Sequence, residues 1–139
     1  NRISGPLLDR IDIHVEVPAM EYQQLASLEK GEPSSVIRER VVASRTVQRE
    51  RFARSGGRHA VHCNAGMRTK DVHKHCVLDG EAQGLLKAAM ADLHLSARAY
   101  DRILKVARTI ADLAGAANIA ADHIAEAVQY RSLDRSYWS

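Results

Sequence analysis

With one phenylalanine, one tryptophan, two cysteines and three prolines in 139 residues, this chain has little of what builds aromatic cores, disulfide frameworks or stiff loops. Aromatics make up only 4%, so the core has to come from alanine, leucine, valine and isoleucine, a composition that favours closely packed helices. Cys63 and Cys76 form no C-x-x-C pair and are too few for a disulfide scaffold. Reduced thiols in a cytoplasmic protein are the simpler account. No apolar run nears the roughly 18 residues of a membrane span, and even Leu113 to Ala121 stops at Asp122. No G-x-x-x-x-G-K-[ST] sequence occurs, so the backbone cradle and lysine that hold nucleotide phosphates are missing. Ser34, Ser35 and Ser55 lack a glycine-rich elbow, and neither cysteine is matched to a particular histidine, which leaves no nucleophile and base to defend.

What is present is a chain of ordinary domain length with a local excess of positive charge. The net charge is +3, yet Lys30 to Arg58 holds eight cations against three carboxylates. Such a patch suits DNA or an acidic partner, with Arg38, Arg45, Arg49 and Arg51 as the residues to make contact. A solvated helix face is the competing account, and the four arginines read as spread around the helix.

The first residues look like the inside of a domain, with no cap or linker before the apolar run. From Asp12 to Pro18, apolar Ile13, Val15 and Val17 alternate with polar Asp12, His14 and Glu16, which predicts a strand that Pro18 ends. A lone strand needs a sheet that this chain does not supply, which points to further sequence upstream. Met20 to Pro33 reads as a connector, with a short helical turn near Glu21 to Leu28. A hydroxyl of Ser34 or Ser35 is expected to cap a helix running to about Arg54, with Ile37, Val41, Ser44 and Gln48 on one stripe and Val36, Ala43 and Val47 beside it. Ser55-Gly56-Gly57 stops it. Asn64 is a candidate cap for a short helix ending near Cys76, and Asp79 for one reaching about His94. Ser96 caps the next helix, whose apolar stripe is Tyr100, Ile103, Leu104, Ala107, Ile110, Ala111 and Ala114. Arg98, Arg102, Lys105, Arg108, Thr109 and Asp112 take its other side, and Gly115 ends it. A last helix spans about Ala120 to Arg131 and buries Ile119, His123 or Ile124, Ala127 and Val128. The expected fold is mainly α, a helical bundle preceded by one strand, divided into residues 1–33 and 34–139.

Two arginines stand out. Arg98 falls in the first turn after a Ser96 cap, where the helix dipole disfavours a cation by about 0.3–1 kcal/mol. A phosphate bound at the free amides would repair the misfit, whereas an arginine in solvent or paired with a carboxylate is the plainer reading. Arg10 precedes the expected strand between Asp9 and Asp12, which are placed to orient a guanidinium for bidentate phosphoryl contact. His59, His62, Cys63, His73, His75 and Cys76 crowd one stretch, but their spacing matches no standard zinc module. His73 and His75 on a helix point to different faces, so no metal is assigned.

Taken together, S-G-P-L-L-D-R-I-D-I-H-V-E-V-P over Ser4 to Pro18, L-S-A-R-A-Y-D-R-I-L-K-V-A-R-T-I-A-D-L-A-G from Leu95, and H-I-A-E-A-V-Q-Y-R from His123 resemble the C-terminal part of the ComM/YifB family. These are magnesium-chelatase-like AAA+ ATPases of bacteria. Asn64-Ala65 and Cys76-Val77-Leu78-Asp79 fit the same pattern, so the likeness covers nearly the whole chain; Ser55 to His62 carries it least. The resemblance implies that residues 1–33 are the end of an α/β ATPase core and 34–139 its helical lid. It also implies that Arg10 is an arginine finger reaching ATP on a neighbouring subunit, and Arg98 the sensor 2 residue. ATP and Mg2+ would be the cofactors of a complete, homo-oligomeric, hexameric ring ATPase that acts on DNA in competence and branch migration. This segment alone would neither hydrolyse ATP nor bind it tightly. The competing functions are a free-standing helical DNA-binding module and a subunit that inserts magnesium into a porphyrin.

Overall fold

The structure, a computed structural model, describes residues 5–27, 30–54, 56 and 60–131. Ser4, Ser55, Gly57, Arg58, His59 and everything beyond Arg131 lie outside the described residues, so the proposed helix stop at 55–57 lies mostly outside them too. Among the described residues seven α-helices follow one another: α1 (Gly5–Leu8), α2 (Tyr22–Ala26), α3 (Ser34–Phe52), α4 (Thr69–His75), α5 (Gly80–Asp92), α6 (Ala97–Leu113) and α7 (Ala121–Gln129). A 3-10 turn at Asn64–Gly66 lies between α3 and α4. The chain is mainly helical, as its composition requires.

Helix α6 is the axis of the bundle. It packs against α3, α4, the 3-10 turn and α7, while α5 lies on α7. Ala99, Ile103, Leu104, Ala107 and Ala111 recur at helical spacing and are fully buried. Their small side chains let neighbouring helices approach closely, and Leu86, Ile119 and Ile124 fill the space between. A parallel bridge, Leu78 to Ile119, aligns the lead-ins to α5 and α7.

The helix ends explain the register. Asp79 Oδ1 accepts from Ala82 N at 2.8 Å to cap α5, and Ser96 Oγ accepts from Ala99 N at 3.1 Å to cap α6, both as the sequence suggests. Gly115 takes φ +68° after α6, with Ala116 N donating to Ala111 O and Gly115 N to Asp112 O. This is the paired closure that a left-handed residue makes possible. Helix α5 closes in the same way, except that His94, not glycine, adopts the left-handed conformation, at φ +48°.

Several local expectations fail for identifiable reasons. No side chain caps α3, whose N-cap position is Pro33. Asn64 caps no helix: it opens the 3-10 turn with its side chain buried, and α4 begins after Arg68, whose amide is bound by Asp71. Among the described residues no strand forms. Residues 12–18 take up no regular structure, with a bend at Asp12, and Ile13, Val15 and Val17 are exposed, the last at 83%. A strand without a partner has no ladder to satisfy its amides. Finally, α3 buries only Ser44, Gln48 and Phe52, so Val36, Ile37, Val41 and Val47 stay exposed.

Candidate functional site

The segment bearing Arg10 lies against the start of α6 and the end of α7, and Asp9 is the junction. Ser96 Oγ donates to Asp9 Oδ1 at 3.3 Å while accepting from Ala99 N, so the capping hydroxyl is used twice. Arg98 Nη1 approaches Asp9 Oδ2 at 3.7 Å, and Arg131 Nη2 donates to Asp9 Oδ1 at 3.4 Å. One turn along α6, Arg102 pairs with Asp12. At the other end, Arg131 Nη1 donates to Ile11 O at 2.9 Å and His14 N donates to Tyr130 O at 2.8 Å. The Asp9 carboxylate thus eases the electrostatic misfit of Arg98 in the first helical turn.

Two sequence-derived candidates, Arg10 and Arg98, are therefore brought to one neighbourhood. Arg98 keeps 54% of its side chain exposed and holds its partner at the long edge of ion-pair distance. Arg10 is exposed and makes no ion pair with a described residue. Beside them a cleft of about 790 Å³ runs along α6. Arg98, Arg102 and Lys105 line it together with Asp12, Asp101 and Glu126, and Val106, Ile110 and Leu113 give it an apolar side.

The basic stretch sorts differently. Arg38, Arg45 and Arg49 are exposed and, at spacings of seven and four, share one stripe of α3, which corrects the reading of arginines scattered around the helix. Arg51 points the other way. Its guanidinium binds both oxygens of Asp112, Nη1 to Oδ2 at 2.7 Å and Nη2 to Oδ1 at 2.5 Å, and also reaches Asn64 Oδ1 at 2.9 Å. It is engaged inside the bundle and drops out of the nucleic-acid set.

That pair belongs to a buried network with little signal in the sequence. Asp112 also accepts from Asn64 Nδ2 at 2.8 Å and Arg108 Nε at 3.2 Å, and Arg108 donates onward to the carbonyls of Ala116 and Ala117. Gln48 Oε1 accepts from Asn64 N. Arg108 and Asp112, expected on the solvent side of α6, are both buried. Burial alone would raise the Asp112 carboxyl, but bonds from Arg51 and Asn64, with the charges of Arg51 and Arg108, hold it below its ordinary value. The one available sequence hint was the i, i+4 spacing of Arg108 and Asp112. Arg131 carried none.

The histidines and cysteines do not converge. His62 and His73 are exposed, His75 sets its ring edge-on to Phe52, and Cys76 lies in the core with burial pushing its thiol up to about 11. Among the described residues no three His, Cys, Asp or Glu side chains are placed to hold a metal, and no helix is long and apolar enough to cross a membrane.

Residues 31–131 match the family model described as magnesium chelatase, subunit ChlI C-terminal, and residues 1–25 match the model for magnesium chelatase, subunit ChlI. The chain belongs to the magnesium chelatase ChlI C-terminal family. Within that family it is of the ComM/YifB type. It is 41% identical over 136 residues to Competence protein ComM of Haemophilus influenzae and 39% identical over 136 residues to the uncharacterized protein YifB of Salmonella typhimurium. Each alignment covers 97% of this chain and 25% of the relative. The uncharacterized protein Rv2897c of Mycobacterium tuberculosis is 32% identical over 130 residues, covering 94% of this chain and 25% of its own length. The chain thus spans about a quarter of the length of the curated relatives it matches. The segment that matches the ChlI model and the first turn of α6, within the ChlI C-terminal match, meet through Asp9.

Proposed function

We propose that this chain is the lid segment of a bacterial AAA+ ATPase that works as an oligomeric ring, with Arg98 as the sensor 2 residue and Arg10 as the arginine finger. The observation that carries the reading is that Asp9, the residue next to exposed Arg10, meets exposed Arg98 at the start of α6: Arg98 is loosely paired and Arg10 makes no ion pair with a described residue. Structural arginines in the same chain look quite different, with Arg108 and Arg131 buried and bonded.

The residues fit ATP as a ligand held jointly with other parts of a larger protein. Arg98 lies in the first turn of a 17-residue helix and lines a cleft with Arg102 and Lys105, a position where a phosphate can meet both a guanidinium and a helix start. ATP bound there would present the phosphoryl group whose transfer to water drives the motor. Arg98 would contact a terminal phosphate oxygen in place of Asp9, and Arg10 would approach the phosphate of the adjacent subunit and offset charge that grows during hydrolysis. Mg2+ would accompany the nucleotide, held by residues other than those described. With no phosphate loop in its sequence, the chain is not proposed to turn over ATP by itself.

The substrate we propose is DNA, in competence and branch migration. Support comes from likeness to a protein named for competence and from the stripe of Arg38, Arg45 and Arg49. In a salt titration of single-stranded DNA binding, replacing each of the three should reduce the slope of log affinity against log salt by about 0.7. No binding at low salt would exclude the DNA reading. The finger and sensor assignments are tested by Arg10→Ala and Arg98→Ala in the full-length protein. Each should lower ATP turnover strongly while leaving folding intact, and Arg10→Ala should be partly rescued by mixing with subunits that keep Arg10 but have a disabled nucleotide site. Unchanged turnover in either variant would overturn its assignment.

A further inference from the structure

Arg131 is the largest of the fully buried side chains among the described residues, with 1% of its surface exposed, yet it lies outside the aliphatic core. Its fork reaches both neighbours of one residue: Nη1 donates to Ile11 O at 2.9 Å and Nη2 to Asp9 Oδ1 at 3.4 Å. The residue between them is Arg10. On the preceding side, Arg10 N donates to Leu7 O at 3.0 Å, so the backbone is held before and after this position. The Arg10 side chain itself is exposed and without an ion pair among the described residues. A fixed backbone carrying an uncommitted guanidinium is what a residue needs if it is to meet a target outside its own fold at one defined distance.

Resting on the assignment of Arg10 as a finger, we propose that Arg131 is a positioning residue that clamps Asp9 and Ile11 and so sets where Arg10 projects. Burying a guanidinium carries a desolvation cost, and an apolar side chain would fill the same space without it. Only arginine brings a planar, multi-donor fork that can bind a carbonyl and a carboxylate two residues apart. A lysine there would keep the charge and lose the fork. Because Arg131 lies just past the Tyr130 cap of α7 and Asp9 also meets Ser96, the N-cap of α6, the clamp ties the finger to the two helices at the centre of the bundle. Movement of the lid would then carry the finger with it.

The test uses the full-length protein carrying Arg131→Met, Arg131→Lys, Arg10→Ala and the Arg10→Ala/Arg131→Met double change. Misplacing a reacting or charge-stabilising group by about 1 Å costs up to roughly 100-fold, so Arg131→Met should lower kcat by about 10- to 100-fold with KM for ATP little changed. Arg131→Lys should fall between it and the wild type. The double variant should be no slower than Arg10→Ala alone, since Arg131 acts through Arg10. Amide hydrogen exchange should speed up in peptides spanning residues 7–14 and stay unchanged over 97–113. Additive losses in the double variant, or unchanged exchange over 7–14, would overturn the positioning role. If Arg131→Met does not fold, the lysine variant combined with Arg10→Ala makes the same comparison. Full turnover by Arg10→Ala would instead overturn the finger reading, which distinguishes the two failures.

Discussion

Replacing Asp112 by alanine should be among the most damaging single changes in this chain, although the residue lies in none of its apolar clusters. The Asp112 side chain has no exposed surface and accepts from three partners: Arg51 through two bonds, Asn64 and Arg108. Breaking a buried ion pair by removing one member typically costs about 3–5 kcal/mol, because the remaining charge stays buried without compensation. Two features pull the figure toward the lower end. Arg108 keeps its bonds to the carbonyls of Ala116 and Ala117, and Arg51, 14% exposed, can recruit water. A loss of about 3 kcal/mol is therefore expected, a large share of the roughly 5–15 kcal/mol that holds a domain together.

Urea denaturation followed by circular dichroism measures it. At a slope of about 2 kcal/mol/M, the midpoint should fall by about 1.5 M with the slope unchanged. The same substitution made in an Arg51→Met background should cost less, since one stranded guanidinium is already gone. The pH dependence supplies a second check. Hydrogen bonds from Arg51 and Asn64 outweigh burial and hold the folded Asp112 carboxyl below its unfolded value. Its contribution is therefore fully present above about pH 4 and lost as pH falls through the folded value. Asp112→Ala should lack that part of the acid-side decline. A loss below about 1 kcal/mol, or strict additivity with Arg51→Met, would refute the network as a source of stability.

Other substitutions follow from the same geometry. His94→Gly should stabilise by about 1 kcal/mol, because φ +48° strains a residue with a Cβ, and the thermal midpoint should rise by about 3–4 °C. Ile124→Ala should cost about 2–5 kcal/mol in urea, since the side chain is wholly buried between α7 and its neighbours. In thiol labelling at pH 8, half-buried Cys63 should react well before core Cys76, whose thiol is pushed up to about 11, and urea should erase the difference. Arg45→Ala should change stability by less than about 0.5 kcal/mol, whereas Arg51→Ala should cost about 1.5–3 kcal/mol, which a pair of melting curves would separate.

Much of the bundle was legible because its helices announce themselves locally. Asp79 and Ser96 cap the helices expected of them, Gly115 closes α6, and Ile103, Leu104, Ala107 and Ala111 keep a 3.6-residue period. These signals lie within one or two turns of the residues they govern. The expected strand failed for the opposite reason. Alternation of Ile13, Val15 and Val17 marks a chain suited to a sheet, but pairing requires a second strand, and none is found among the described residues. Asn64 was misread because Asn before a short helix is a good cap in isolation, while here its amide is taken by Asp112 and Thr109, residues 48 and 45 positions away in sequence.

The arginines make the physical point most sharply. Helical spacing could separate Arg51 from Arg38, Arg45 and Arg49, since it places them on opposite faces of α3. It could not say which face is buried, because the apolar residues of α3 occur on several sides and only Ser44, Gln48 and Phe52 turn inward. That choice is made by Asp112 on α6, whose burial requires a cation from a facing helix. Once Arg51 has met this demand, the stripe of Arg38, Arg45 and Arg49 is left to face outward. The same logic divides the other end of the molecule, where buried Arg131 takes up Asp9 and Ile11 and leaves Arg10 projecting. In both places a committed arginine orients the uncommitted ones, so the exposed cations that a ligand could meet are defined by the buried ones that it cannot.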